Sequence, residues 1–426
     1  MTKLPATFQD WDAIASLLPD NRQETAKSTG AFTRSRLFAS CDQLLRMICL
    51  YAWADTSLKV TVADANAANF MTISAVALHS RLKKIAPWLE TLILHLFSQK
   101  VKPAVLSKLP YQILLVDTTG ISLMNSKGTD YRIHAKYNLL SHEFVEFNLT
   151  TFSVGETFKN FTFSENDLVI ADRGLAHRPG IVHIHKAKAK VIVRLTRTNL
   201  PLQTPDKVKF EIVDALKRLT AGEVGDWAVQ TIAEGDLVSV PGRMIACRRK
   251  PQEIENAIRA LKKENKNPSA EALLGCEYFF VFTTLSVEEA NGKLVLDLYC
   301  FRWQIEMAFK LMKSQLQIDH VRAFRPDVVR SYLLCKILGV LLMEDFTSRW
   351  VSLHPVDFDS DFPISKWRLW ASLQRVLIHA LGISATLTDW VANSALKVGM
   401  YRDTSRERKK QDLSALFDVT REPANA

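Results

Sequence analysis

The sequence predicts an α/β protein whose strand-rich centre lies between two helical regions. Three observations support this prediction: apolar residues at helical spacing over the first 100 residues, short apolar runs of strand length over 110–195, and helical periodicity after Pro326. Strand runs that alternate with a helix are typical of an α/β layer. Of the 426 residues, 47% are hydrophobic and 23% charged, which excludes a disordered chain, a collagen-like fibre and a coiled-coil rod.

The first region, residues 1–105, is predicted to be helical. Apolar side chains recur at helical spacing around Leu44. Further on, residues 60–70 and 74–85 predict two helices joined by a turn, with Ser74 as the N-cap of the second. This pattern is typical of a DNA-binding helix-turn-helix and also of an ordinary amphipathic hairpin.

Two aspartates in the central region lie where strands carry functional groups. Asp117 interrupts an otherwise apolar strand, where an ionised carboxylate is costly unless it is paired or bound to a metal ion. Asp172 follows the apolar strand 168–171, at the end where α/β sheets commonly carry functional groups. Both are therefore candidate site residues.

Residues 295–317 predict a helix with two distinct faces. At 100° per residue, one stripe about 60° wide holds four polar side chains. These are Tyr299, Arg302, Glu306 and Lys313. A neighbouring apolar stripe, the predicted core face, consists of Ile305, Phe309, Met312 and Leu316. Charges on a helix most often form a solvated face with intrahelical ion pairs, so the polar stripe alone does not establish a site.

Three carboxylates in these positions favour a metal-dependent reaction. Two strand aspartates and one helix glutamate can converge on a pair of divalent cations, and oxygen ligands suit Mg²⁺ or Mn²⁺ better than zinc. Two such ions stabilise both the attacking and the leaving oxygen of a phosphoryl transfer. We therefore expect Asp117, Asp172 and Glu306 to be the catalytic residues and the metal ligands.

The predicted helix also carries a family resemblance. Its polar stripe resembles the Y-x2-R-x3-E-x6-K signature of bacterial DDE transposases of the insertion-sequence-four family. The segment 117–119, Asp-Thr-Thr, is similar to the first acidic motif of that family, and the segment 172–174, Asp-Arg-Gly, to the second. The resemblance extends over about residues 30 to 320.

The resemblance implies an RNase H-like catalytic core with an all-β insertion, and a cut-and-paste reaction that passes through a DNA hairpin. It implies that Asp117, Asp172 and Glu306 hold two Mg²⁺ or Mn²⁺ ions. The phosphate-binding residues would be Tyr299, Arg302, Lys313 and Arg173. Some members stack an aromatic residue on a flipped base from the strand before the signature helix; here Tyr278 or Phe279 is available, although a plain core strand would look the same.

Positive charge points to a polyanionic partner. The chain has 55 Lys and Arg against 45 Asp and Glu, a net charge of +10. Many proteins have such a surplus without a charged partner, so its position matters. Nine basic residues and one acidic residue fall between 173 and 209, next to Asp172, which favours a surface that follows a phosphate backbone. We expect double-stranded DNA as the partner, both transposon ends and target, and at least a homodimer on two synapsed ends.

The predicted organisation has five parts. They are a helical DNA-binding region at 1–105, a catalytic core at 106–195 and 276–325, a β-rich insertion at 196–275, a helical region at 326–400 and a polar tail at 401–426. Two alternatives to a transposase remain open: a nuclease or resolvase of the same fold that cuts without strand transfer, and a non-catalytic DNA-binding derivative.

The six cysteines have no Cys-x-x-Cys spacing and mostly apolar neighbours, which favours reduced thiols in a cytoplasmic, nucleoid-associated protein. The first residues lack the apolar run of a signal peptide. The most apolar stretch, residues 332–343, is too short for a bilayer and contains Lys336, so no membrane contact is expected.

Overall fold

A computed structural model describes residues 10–33, 37–67, 70–71, 73–100, 109–196, 198–353 and 365–382. Within them, one continuous sheet forms the centre of the molecule. Its strands are β1 (Gln112–Ile121), β2 (Tyr131–Asn138), β3 (Glu143–Thr151), β4 (Asp167–Ala171), β5 (Lys190–Arg194), β6 (Leu202–Gln203), β7 (Val224–Thr231), β8 (Pro241–Arg248) and β9 (Tyr278–Thr283). Their order across the sheet is β3-β2-β1-β4-β5-β9-β8-β7-β6.

The sheet is mixed, and only its middle is parallel. β4 lies parallel to β1 and to β5, whereas every other pairing is antiparallel. All five residues of β4 are buried, as expected for a parallel strand with helices on both faces. The predicted α/β class is confirmed.

Six helices precede the sheet in the part of the chain that the structure describes. They are α1 (Asp10–Ala15), α2 (Arg22–Ser28), α3 (Cys41–Trp53), α4 (Leu58–Ala67), α5 (Ala75–Leu82) and α6 (Ala86–Gln99). The predicted helix, turn and second helix correspond to α4 and α5. The Ser74 hydroxyl accepts a hydrogen bond from the N–H of Ala77, so the predicted N-cap is present.

The segment 196–275 is not all β, which corrects one expectation. Besides β6, β7 and β8 it contains α8 (Ile212–Lys217), α9 (Pro251–Glu264) and most of α10 (Ala270–Glu277). α9 forms because Pro251 starts it, the Glu253 carboxylate accepts the N–H of Lys250, and apolar residues recur at 254, 258 and 261. The strands of this segment extend the central sheet through the β8–β9 pairing.

The helix predicted over 295–317 is two helices, α11 (Gly292–Cys300) and α12 (Trp303–Leu316). Between them the backbone tightens: the N–H of Phe301 bonds to the carbonyl of Leu298, and the N–H of Arg302 to that of Tyr299. A wheel drawn for one uninterrupted helix therefore does not describe this segment. The predicted core face of α12 is buried, as expected: Ile305, Phe309, Met312 and Leu316.

The remaining helices cover the two faces of the sheet. α7 (Arg178–Lys186) packs on one face with α8. The other face is covered by α11, α12 and α13 (Pro326–Leu353), and α14 (Lys366–Gly382) packs on α3, α12 and α13. These helices share a core with the N-terminal helices. Among the described helices, none is both long and apolar enough to cross a bilayer. The predicted polar tail, 401–426, lies outside the described residues.

Candidate active site

Asp117 lies on β1, on the face of the sheet that carries α12. Its neighbours along the strand divide between the two faces: Leu115 belongs to the core beneath α12, and Val116 to the core on the α7 side. The Asp117 carboxylate accepts the N–H of Thr118 at 2.8 Å and is otherwise largely buried. The strand is therefore apolar up to Val116 and carries a carboxylate at the next position.

Asp172 is placed beside Asp117 by strand register. Val116 of β1 is paired with Ala171 of the parallel strand β4, so the next residue on each strand is an aspartate at the same carboxyl edge of the sheet. Asp172 itself is the residue at which β4 ends and a short 3-10 turn begins.

Glu306 approaches the strands from the first turn of α12, and Arg302 links it to Asp117. Arg302 Nη2 lies 2.6 Å from Glu306 Oε1, and Arg302 Nη1 lies 4.0 Å from Asp117 Oδ2. The Glu306 side chain is 44% exposed, so it can turn away from the guanidinium without rearranging the core. Arg302 thus occupies the space between two of the predicted ligands.

Tyr299, at the end of α11, completes the site on the side of Asp172. Its hydroxyl donates a 3.1 Å hydrogen bond to Asp172 Oδ1. Its ring packs on Phe279 of β9, with 5.2 Å between ring centroids. Arg194 in turn lies over the Phe279 ring, with its Cζ 5.6 Å from the ring centroid. The predicted residues Asp117, Asp172, Tyr299, Phe279, Arg302 and Glu306 are therefore brought together.

Three further predicted residues lie at the edge of this cluster or away from it. Lys313 is half-buried and follows Glu306 by seven residues on α12, hence on nearly the same face of the helix. Arg173 is exposed and adjacent to Asp172. Tyr278 points to the opposite face of the sheet, where it is buried with the α7-side core, so it is separated from the other residues.

The carboxylates influence one another electrostatically. Burial is the main cause that raises the pKa of Asp117 to about 6; the Thr118 N–H and Arg302 act against it, and the charges of Glu306 and Asp172 add to it. Burial and the nearby charge of Asp172 also raise the pKa of the Tyr299 hydroxyl, which stays protonated and donates to that carboxylate. Three acidic groups therefore share a site that favours protonation of one of them.

The described residues contain no three His, Cys, Asp or Glu side chains arranged closely enough to hold a metal ion. At this site the reason is visible, because the Glu306 carboxylate is turned towards Arg302. The donor chemistry nevertheless fits a hard divalent cation, since all three acids offer carboxylate oxygens. The raised pKa of Asp117 is a second sign of fit, because a cation would offset the burial and repulsion that cause it.

A cavity of about 840 Å³ adjoins the site, between the 196–275 segment and α11 and α12. Besides Arg302, four cationic residues line it: Arg248, Arg249, Lys250 and Lys293. Phe279, Tyr299, Arg302 and Trp303 also line it. Cationic and aromatic side chains that share one opening are the combination that binds single-stranded nucleic acid.

The predicted basic cluster over 173–209 is only partly available to a phosphate backbone. Arg178 forms an ion pair with Glu234, and Lys190 with Glu289, both partners being distant in sequence. Arg197 lies outside the described residues. Arg194 is one of the nine basic residues of this cluster, but the sequence did not assign it to the site. It is the last residue of β5, opposite Val281 of β9, and this position places it next to Phe279.

Several known proteins to which this chain is similar are transposases of insertion sequences. The chain is 29% identical over 351 residues to the transposase for insertion sequence element IS421 of Escherichia coli, covering 80% of this chain and 94% of that one. InsL of insertion sequence element IS186A of Escherichia coli K12 is 29% identical over 350 residues, with the same coverage. The transposase for insertion sequence element IS1151 of Clostridium perfringens is 24% identical over 251 residues, or 52% of each chain.

A family model supplies the stronger evidence. The model described as "Transposase DDE domain" matches residues 108–342, a range that contains every strand and all three carboxylates of the site. The resemblance to DDE transposases is thereby confirmed. Because the match covers more than half of the 426 residues, the chain belongs to the transposase DDE domain family.

Proposed function

We propose that the carboxylate site of this transposase cleaves DNA strands at the ends of an insertion sequence and transfers them to target DNA. One observation carries the proposal: three acids from three elements meet at one edge of the sheet. Asp117 and Asp172 follow paired residues of β1 and β4, and Glu306 is linked to Asp117 through Arg302. The proposed catalytic core is RNase H-like, formed by the sheet from β3 to β5 together with α12.

In this proposal, Asp117, Asp172 and Glu306 hold two Mg²⁺ or Mn²⁺ ions. When bound, such ions activate the attacking oxygen and stabilise the leaving oxygen of the phosphodiester. Glu306 leaves Arg302 to join the two aspartates, which frees the guanidinium to bind a phosphate. The 3.1 Å bond from Tyr299 orients Asp172, since a hydroxyl that stays protonated can only donate to that carboxylate.

The DNA end is proposed to run along the cationic cavity next to the site. Arg302, Lys313 and Arg173 bind phosphates on either side of the scissile position, and the cations of the 196–275 segment continue the path. Phe279, already packed on Tyr299, is the aromatic residue placed to stack on an unpaired base of a hairpin. Tyr278 has no such role, because it is buried on the other face.

The larger organisation belongs to the same proposal. The helical region 1–105 binds the terminal inverted repeats through the α4–α5 hairpin, and the chain acts as a homodimer on two synapsed ends. The boundaries expected from the sequence, 196–275 for the insertion and 326–400 for the second helical region, stay predictions. The reaction takes place on double-stranded DNA in the cytoplasm, at the nucleoid.

The Glu306→Gln substitution tests the catalytic assignment. It keeps the shape of the side chain and removes the charge that binds metal, so we expect cleavage of a labelled end to fall at least about 100-fold, with binding of the same DNA unchanged within about twofold. The control is Glu255→Gln, which removes an equivalent i,i+4 Glu–Arg pair from the surface of α9. Full-rate cleavage by the Glu306→Gln protein would show that Glu306 is not a ligand.

A second assay separates a transposase from the two alternatives. Labelled ends are incubated with the wild-type protein, Mg²⁺ and a supercoiled target plasmid. The proposal requires labelled ends covalently joined to the plasmid. Cut but unjoined ends would instead indicate a nuclease or resolvase of the same fold, and bound but uncut ends a non-catalytic DNA-binding derivative.

A further inference from the structure

Asp55 lies outside the catalytic site, and four side chains contact its carboxylate. It follows α3 and adopts a left-handed backbone conformation, with φ at +49°. His320 Nδ1 lies 2.6 Å from its Oδ2 and Arg322 Nε 3.1 Å from the same oxygen, while its Oδ1 accepts from Tyr332 and lies 3.3 Å from Lys336 Nζ. Its side chain is only 11% exposed.

These contacts join three distant parts of the chain. Asp55 belongs to the N-terminal helical region, His320 and Arg322 to the segment that follows α12, and Tyr332 and Lys336 to α13. The same junction is reinforced from α3, since the Tyr51 hydroxyl donates to the carbonyl of Arg322 at 2.8 Å. A single carboxylate therefore lies where the N-terminal region meets the end of the catalytic helix.

Lys336 connects this carboxylate to the end of α12. Its side chain is fully buried, and Nζ donates to the carbonyl of Gln317 at 2.7 Å and to that of His320 at 3.2 Å. Gln317 is the C-cap of α12, in a left-handed conformation that turns its carbonyl out of the helix. Burying a cation is costly unless it is paired, so Asp55 is what keeps Lys336 as an ammonium, whose three N–H donors match its three oxygen partners here.

The catalytic groups of α12 depend on where the helix ends. Glu306 lies in the first turn of α12 and Lys313 in its last. The distance along the helix axis from Glu306 to Gln317 is about 16 Å, and a helix of this length moves as one rigid body. A shift or rotation at Gln317 is therefore carried to Glu306. Misplacing a catalytic group by about 1 Å can reduce a rate by about 100-fold.

We propose that Asp55 is a positioning residue for the catalytic helix: through Lys336 it fixes the C-terminal end of α12, and so couples the N-terminal region to the placement of Glu306 and Lys313. This inference rests on the proposed function, because it assumes that Glu306 is a metal ligand. It assigns to the N-terminal region a part in catalysis in addition to DNA binding. Asp55 itself contacts neither DNA nor metal in this proposal.

The test compares Asp55→Asn, the double variant Asp55→Asn with Lys336→Met, and a control. In Asp55→Asn the buried Lys336 is left unpaired, so both stability and cleavage should fall. The double variant removes both charges, so its melting temperature should recover towards the wild-type value. At saturating DNA and metal, cleavage should stay about 10- to 100-fold slower than wild type in both variants. In Asp55→Asn the donor to the Gln317 carbonyl, Lys336, is no longer held in place, and in the double variant that donor is absent.

Binding of the DNA end should stay within about twofold of wild type, and the Mg²⁺ concentration for half-maximal cleavage should rise in both variants. The control, Asp42→Asn, breaks the ion pair between Asp42 of α3 and Arg22. The other side-chain hydrogen bonds of this pair involve Trp11, Pro19 and Cys41, which belong neither to the α4–α5 hairpin nor to α12. The variant should therefore lose stability while cleaving at the wild-type rate below its melting temperature.

Three outcomes would overturn the inference: wild-type cleavage by Asp55→Asn, recovery of cleavage together with stability in the double variant, or an equal loss of cleavage in Asp42→Asn. If Asp55→Asn is unfolded at the assay temperature, the double variant decides alone, since it leaves no buried charge unpaired. Glu306→Gln in the same assay distinguishes the two proposals. If it cleaves normally, the proposed function fails; if it is inactive while Asp55→Asn is normal, only the positioning role fails.

Discussion

At Asp117, burial and the charges of two neighbouring carboxylates raise the pKa of one carboxyl group, and Arg302 and the Thr118 N–H only partly oppose them. The pKa of about 6 lies roughly two units above the value of an unfolded chain. Such a group stabilises the fold fully at low pH, where it is protonated in both states, and that contribution is lost as the pH rises through 6. Without a bound cation, the ionised Asp117 carboxylate therefore lowers the stability of the fold at neutral pH.

This destabilisation leads to a pH-dependent prediction for Asp117→Asn. In the presence of a chelator, the variant should match the wild type below about pH 4 and become more stable by up to about 3 kcal/mol above pH 6. Denaturant unfolding across this pH range measures the difference. Asp42→Asn should show the opposite sign, because Arg22 and Trp11 hold the pKa of Asp42 below its usual value against the effect of burial. A difference that does not vary with pH would contradict the assignment.

Among the elements, strands were predictable and the helix break was not. The apolar run 168–171 predicts β4 to within one residue of its observed bounds, because a buried strand is determined by its own apolar residues. The break between α11 and α12 leaves no such trace, since apolar residues recur at helical spacing across it, at 295, 298, 301 and 305. The register that places Asp172 beside Asp117 is likewise a property of two strands together, which neither segment contains alone.

The end of α12 gives a prediction at the same scale. Gln317 adopts φ +47° and ψ +46°, a region that is costly for residues with a Cβ and free for glycine. Gln317→Gly should therefore leave the protein as stable or stabilise it by up to about 1 kcal/mol, and should keep normal cleavage because its carbonyl remains. Gln317→Val should lose about 1–2 kcal/mol. Denaturant unfolding of both variants measures this, and equal stabilities would contradict the strain.

In the whole molecule, the N-terminal helices are joined to the catalytic part by close packing that the sequence does not reveal. Trp53 of α3 donates from Nε1 to the carbonyl of Cys335 at 2.8 Å, across 282 residues of chain. Asp55 could not be recognised as a junction residue from its neighbours, because its partners follow only from how α3 meets α13. Long-range contacts of this kind require the packed fold.

The close approach of Trp53 leaves no room for a Cβ at Gly339 of α13 unless the contact shifts. A Cβ at Gly339 would lie 2.7 Å from Trp53 Nε1, so Gly339→Ala should cost about 1–3 kcal/mol of unfolding free energy, despite the higher helix propensity of alanine. Gly275 of α10 is the matched control: nothing lies within 4 Å of its Cβ position, so Gly275→Ala should be neutral or stabilising by up to about 1 kcal/mol. Similar effects of the two substitutions would show that the α3–α13 contact is loose.

The unbroken sheet also limits how DNA can enter. β8 is hydrogen-bonded to β9 over six residue pairs, and β9 to β5, so the 196–275 segment is fastened to the catalytic strands along their length. A hinge needs a flexible line of few contacts, and no such line separates these strands. The cationic wall of the cavity therefore keeps a fixed distance from Asp172, so the spacing between a bound phosphate backbone and the carboxylates is set before DNA arrives.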